Sequence, residues 1–279
     1  MSGQVVLEVA QWQGSGATTA GRLRNGAARL AELIPEVRRR TVATDSGSGN
    51  SRGGVRNADV LERHLRAMRE ALAEVPPGET TVTIGGDCGV DLAPIETALS
   101  VYGDRLTLVW FDAHADLNTP QSSPSGAFHG MVLRALLGDG PEGLRPVRSL
   151  SADRVVLAGA RSLDPGERDF VERRGMRHIG VEHLTQPGPL LALVRATGAE
   201  AIYVHIDLDV LDPQIFPAVG TPEPGGLGVE DLLAAVRALT NEFTLAGIAL
   251  TEYERTEDTG QEEAVLRRIV DGLFGSARR

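Results

Sequence analysis

The chain has 279 residues, with 28 Lys plus Arg against 38 Asp plus Glu, so its formal charge is 28 − 38 = −10. Apolar residues make up 42% and charged residues 24%, a globular balance that excludes a disordered, collagenous or coiled-coil chain. An acidic chain without a long basic run is a poor match for nucleic acid, and no apolar stretch approaches the roughly 18 residues of a membrane helix. Residues 1–10 lack the basic and apolar regions of a secretory signal, and the one cysteine, Cys88, can form no intrachain disulfide. The lone cysteine fits a reducing cytoplasm.

In chain order, the polar, glycine-rich residues 45–54 read as a loop, because the 44 residues before them are too few for a domain. Residues 58–75 carry Leu61, Leu65, Met68, Leu72 and Val75 at spacings of 4, 3, 4 and 3, one face of a helix. Apolar runs at 80–84, 106–111, 154–158, 201–206 and 244–250 read as strands buried on both faces. Pro- and Gly-rich loops are expected at 140–144 and 213–228, and helices at 229–239 and 264–273. Strand alternating with helix predicts a single three-layer α/β domain over residues 1–279, with a mostly parallel sheet flanked by helices.

Ligands of such sheets bind at the carboxyl ends of the strands. There the chain places Gly85-Gly86-Asp87-Cys88, Asp112-Ala113-His114-Ala115-Asp116, Asp207-Leu208-Asp209 and Thr251-Glu252. Side chains at i, i+2 and i+4 share a face while the chain is extended, so Asp112, His114 and Asp116 should converge, as should Asp207 and Asp209. Each pair alone could be a solvated turn. Together, four carboxylates at the edge of an apolar core cost several kcal/mol per uncompensated ion, which divalent cations relieve. Carboxylate with imidazole suits Mn²⁺, Fe²⁺ or Zn²⁺.

These blocks resemble the ureohydrolases (arginase, agmatinase and relatives), whose motifs GGDHS, DAHxD, SFDxDxxDP and a late strand-end glutamate recur here in order between about residues 80 and 255. The resemblance implies an arginase-like fold and two Mn²⁺ ions, bridged by Asp112 and Asp207. Asp116 and Cys88 would complete one site, His114 and Asp209 the other. It further implies that the metals activate water, with Asp116 counted among the catalytic residues. Glu252 would hold a guanidinium by charge-assisted hydrogen bonds, and His129 would shuttle protons to the departing amine. Residues 118–126, with Asn118, Ser123 and Ser125, resemble the arginase loop that holds an α-carboxylate. Residues 161–167 resemble the segment whose acids hold an α-ammonium, here Asp164 and Glu167; Asp164-Pro165 is equally a helix cap. Thr221 joins the substrate-binding set. An arginine-like amino acid is the implied small-molecule substrate, ahead of agmatine, which has no carboxylate. No nucleic acid or membrane partner is implied, and a homo-oligomer is compatible with this reading.

The chain departs from the family at three points. Cys88 replaces a metal-binding histidine and reads either as a lost ligand, filled by a small apolar side chain, or as a thiolate ligand at a weakened manganese site. That change resembles the branch hydrolysing Nω-hydroxy-L-arginine to hydroxyurea and L-ornithine in D-cycloserine biosynthesis, which becomes the expected reaction. Ordinary arginase activity, an agmatinase-like hydrolase and a non-catalytic binding protein are the alternatives. Ala127 stands where arginases often have Asn. His205, two residues before Asp207, reads as a packed neighbour rather than an extra ligand, while His64, His178 and His183 are assigned no role.

Overall fold

The computed structural model describes residues 3–34, 38–76, 78–257 and 260–275; residues 1–2 of the N-terminal segment and 276–279 of the expected domain lie outside them. Eight strands are seen: β1 (Gln4–Val9), β2 (Arg38–Thr41), β3 (Thr80–Gly85), β4 (Leu106–Phe111), β5 (Val155–Ala158), β6 (Arg177–Ile179), β7 (Ala201–Asp207) and β8 (Thr244–Thr251). They form one sheet in the order β2-β1-β3-β8-β7-β4-β5-β6. Every pairing among the described residues is parallel, so the expected mostly parallel sheet is wholly so. The five expected strands are present, with Arg154 left in the turn before β5.

The three strands not anticipated have plain reasons for their silence. β2 reads Arg-Arg-Arg-Thr and β6 Arg-His-Ile, and both lie at sheet edges, where short charged strands discourage further pairing. β1 is apolar, with Val5, Val6, Leu7 and Val9 fully buried, but no chemical motif follows it.

Helices α1 (Arg22–Leu33), α2 (Ala58–Ala73), α3 (Leu92–Tyr102), the short α4 (Val132–Arg134), α5 (Pro165–Arg174), α6 (Pro187–Arg195), α7 (Val229–Glu242) and α8 (Gly260–Phe274) cover both faces. Side-chain alternation splits the core in two. Leu106, Leu108 and Trp110 of β4 pack with α2 and α3, whereas Val109 and Phe111 pack with α1, α6, α7 and α8 on the other face. Val75 falls just beyond α2. Residues 45–50 form no helix or strand, as expected of a loop.

Strand order is what builds the site. β3, β8, β7 and β4 are consecutive neighbours in mid-sheet, and their carboxyl ends carry the four acidic blocks.

Candidate active site

The acids turn inward where the strands stop. Asp207 closes β7 and accepts the Asp209 amide at 2.7 Å, a tight turn that brings both carboxylates to one place. Asp112 follows β4 and accepts the His114 amide through Oδ1 at 2.6 Å and Trp110 Nε1 through Oδ2 at 2.9 Å. Asp209 accepts the Ala113 amide at 3.0 Å, so the ends of β7 and β4 are tied together. His114 Nδ1 lies 3.0 Å from Asp209 Oδ2 and 3.4 Å from Asp112 Oδ1.

Asp112, Asp116, Asp207 and Asp209 are all buried, as are Cys88 and Glu252. Burial and neighbouring carboxylates push Asp112, Asp116 and Asp207 above the usual carboxylate range. Burial alone would favour neutral His114, but its bonds to Asp112 and Asp209 outweigh that and push it up to about 12. Asp209, bonded to that imidazole, is held below the usual range despite its burial. Like charges crowded in an apolar surrounding disfavour one another's ionised form, which is the cause of the upward carboxylate shifts. Asp116 Oδ2 is buried without any hydrogen-bond partner. That orphaned oxygen and the crowding of acids around one imidazole and one sulfur fit a pair of divalent metals. Donor atoms of Asp112, His114 and Asp209 lie within 4.8 Å of one another, as do those of Cys88, Asp207 and Glu252.

Two of the three described non-glycine residues at positive φ are site acids, Asp116 at 53° and Glu252 at 63°. Such strain persists where the surroundings enforce it. The Asp116 carbonyl accepts the Arg134 amide, and the Glu252 amide donates to Gly86 O. Gly86 can only be glycine, since a Cβ there would meet Gln11 O at 1.6 Å.

His129 and Glu252 form a pair. His129 Nε2 accepts the Gly16 amide at 3.2 Å, which leaves Nδ1 to donate to Glu252 Oε1 at 3.1 Å. Burial disfavours the imidazolium, yet the Glu252 carboxylate outweighs it and the His129 pKa is raised. The same Glu252 oxygen accepts the Cys88 amide at 3.1 Å.

A cavity of about 240 Å³ opens over this floor. His114, Asp116, Asp207 and His129 line it together with Asn118, Ser123, Ser125, Asp164, Glu167 and Thr221. Cys88, Asp112, Asp209 and Glu252 do not line the cavity but contact residues that do, through Asp207, His114 and His129. Asn118 Nδ2 donates to Asp164 Oδ2 at 2.8 Å, and Glu167 accepts the amides of Leu117 and Asp164 at 2.8 and 2.9 Å. Thr221 reaches the floor instead, donating to Asp209 Oδ2 at 3.2 Å.

A model of the arginase family matches residues 11–273. The chain belongs to the arginase family. The arginase of Bacillus subtilis (strain 168) is 34% identical over 209 residues, covering 70% of this chain and 68% of that one. The arginase of Bacillus caldovelox is 30% identical over 231 residues, covering 76% and 77%. The crystal structure of Entamoeba histolytica arginase in complex with L-ornithine shares the fold with a TM-score of 0.88 at 24% identity, covering 99% of this chain and all of that one. Membership makes this chain a hydrolase of the ureohydrolase type, an amidinohydrolase of arginase-like kind.

Several supporting residues had no signal in the sequence. Gln11 donates to Asp87 Oδ1 at 2.9 Å, and His64, assigned no role above, backs Gln11 through Nδ1 at 3.0 Å. Asp87 also accepts the amides of Gly14 and Gly89, which fixes the turn ahead of Cys88. Arg161 donates to the carbonyls of Asp209 and Glu223, holding the loop that carries Thr221. The glycines of Gln13-Gly14-Ser15-Gly16 were the one visible hint, marking a backbone that approaches His129 closely.

Proposed function

We propose that this chain is a binuclear manganese amidinohydrolase that cleaves the guanidino C–N bond of an arginine-like amino acid. The observation that carries the reading is the cavity itself, whose lining brings the buried acids Asp116 and Asp207 and His129, paired with Glu252, together with the Asn118–Asp164 pair. That layout suits a substrate with a guanidinium at one end and an amino-acid head at the other. Asp112 and Asp207 would be shared by both ions, Asp116 and Cys88 would face the first, and His114 and Asp209 the second. When bound, such ions supply Lewis acidity and a water of lowered pKa. The chain's own residues do the rest. Glu252 accepts from the guanidinium, with its second oxygen free of the contacts that occupy Oε1. With its pKa raised beside that carboxylate, His129 can carry a proton on both nitrogens, hand one to a leaving amine and return to the neutral ring. Asp164 and Glu167 draw the α-ammonium, while Asn118, Ser123 and Ser125 offer polar contacts to the α-carboxylate.

Arginine, giving urea and L-ornithine, is the substrate supported by the relatives named above. Cys88 favours a second reading, Nω-hydroxy-L-arginine giving hydroxyurea and L-ornithine, because a substrate hydroxyl can make a contact arginine cannot. Release of urea from arginine and agmatine, of hydroxyurea from Nω-hydroxyarginine and of formamide from formiminoglutamate, assayed side by side after Mn²⁺ loading, tests both. Agmatine turned over as well as either amino acid would overturn the amino-acid assignment.

A further inference from the structure

We infer that His205 is a ligand of the first metal, supplying through Nε2 the imidazole that Cys88 does not. The inference rests on the two-metal reading above and adds a residue to it. His205 lies on β7 two residues before Asp207 and is fully sequestered. A ring nitrogen of His205, the Cys88 sulfur and an Asp112 oxygen form a third group of donors within 4.8 Å of one another, and Thr251 Oγ1 lies 3.5 Å from Nε2 and 3.4 Å from the sulfur.

Three observations separate a ligand from a packed neighbour. The first is its orientation. Asp91 Oδ2 sits 2.8 Å from Nδ1, and Asp91 Oδ1 accepts from Tyr203 OH at 2.5 Å. A carboxylate on Nδ1 places the proton there and leaves the Nε2 lone pair directed away, the arrangement by which metal-bound histidines are held. The second is that this lone pair is poorly satisfied. Its nearest polar partner is Thr251 Oγ1 at 3.5 Å, beyond the ordinary range. That hydroxyl has a single proton, for which Ile206 O at 3.3 Å and Cys88 Sγ at 3.4 Å also compete. The third is rigidity. Trp110 stacks on the ring at 3.4 Å and 5°, while its Nε1 holds Asp112, so one side chain positions two donors.

Charge points the same way. Four aspartates balance two divalent ions, and a neutral imidazole preserves that balance, whereas a thiolate would add an uncompensated charge. Cys88 Sγ instead lies 3.1 Å from Asp207 Oδ2, a distance at which a thiol donates. In this chain the imidazole has moved from the loop after β3 to the adjoining sheet interior.

The test is manganese stoichiometry and the nitrogen couplings of bound Mn²⁺ in protein labelled with ¹⁵N-histidine, measured on the full chain. Wild type is expected to hold two ions and to show couplings from two histidines, His114 and His205. His205→Asn keeps a donor for Asp91 but removes Nε2; it should weaken the first ion at least tenfold and leave one coupled histidine. Cys88→Ser should keep both ions. His205→Gln, which presents an amide near the Nε2 position, serves if the Asn variant does not fold. Two ions and unchanged couplings in a folded His205 variant would overturn the inference while leaving the binuclear reading intact. A wild type that holds no manganese would overturn both.

Discussion

At the scale of single residues, the groups proposed to hold metal are distinct from those proposed to hold the substrate's remote end. Asp112 and Asp207, the acids proposed to be shared, are each tied by short bonds to the turn they begin. Asp207→Ala or Asp112→Ala is expected to lower both manganese content and kcat by more than about 100-fold, since even supporting residues around a metal cost 10- to 100-fold. Near-normal metal content in either variant would contradict shared ligation. Asp164 belongs to none of the donor groups described at the floor and is bonded to Asn118. Asp164→Ala should raise KM for the amino acid by roughly 10- to 100-fold, the worth of about 1.5–3 kcal/mol for a hydrogen bond to a charged group. Its kcat should change little, because uniform binding is what is lost. A fall in kcat with KM unmoved would place Asp164 among the groups that act on the reacting carbon.

At the scale of elements, the start of α5 and the end of β3 carry the two clearest consequences. Glu167 accepts the amides of Asp164 and Leu117, so one side chain caps α5 and fastens the segment leading to Asn118. Glu167→Ala should therefore destabilise the protein by about 1 kcal/mol, the usual cost of a lost cap, and raise KM in the same variant. Urea unfolding together with steady-state kinetics checks both, and unaltered stability would show that α5 needs no such cap. After β3, Cys88 is fully enclosed by Asp207, Thr251 and His205. Cys88→His restores the family's residue but adds atoms where His205 already lies, and should cost about 1–3 kcal/mol through overpacking. Combining it with His205→Ser, the residue of the family motif, should recover that loss. A single variant as stable as wild type would show that the space is larger than these contacts indicate.

At the scale of the whole molecule, the buried acids couple folding to protons and metal. The folded pKa values of Asp112, Asp116 and Asp207 are raised above the unfolded value of about 3.9, and that of His114 from about 6.5 to about 12. Without metal, the native state therefore binds more protons than the unfolded chain above these unfolded values. Stability then falls as pH rises, beginning above about 4 for the acids and above about 6.5 for His114. Asp209, with a lowered pKa, opposes this as a single group. Chelator-treated protein should lose melting temperature between pH 5 and 8.5. Manganese-saturated protein should not, because metal binding strengthens as its ligands lose protons. A chelated protein that gains stability over that interval would contradict the crowding of acids described here.

The sequence by itself determined the donors and their level in the fold. DxHxD after β4, DxD after β7, the Gly-Gly-Asp turn after β3 and the strand-end glutamate of β8 are local patterns, and an extended strand running into a turn fixes which side chains face together. Likewise the heptad-like spacing of α2 and the continuous apolar runs of the central strands report burial directly, because burial acts residue by residue. The edge strands β2 and β6 stayed silent for the converse reason: neither carries the apolar run that reveals a strand. Only the tertiary structure decided that β3, β8, β7 and β4 are neighbours, since strand order follows from packing between segments far apart in sequence. The Gln11–Asp87, His129–Glu252 and Asp91–His205 pairs are of the same kind, spanning 76, 123 and 114 residues. No local periodicity encodes such partners. They are selected because a buried polar group must find a complementary one wherever the fold brings it.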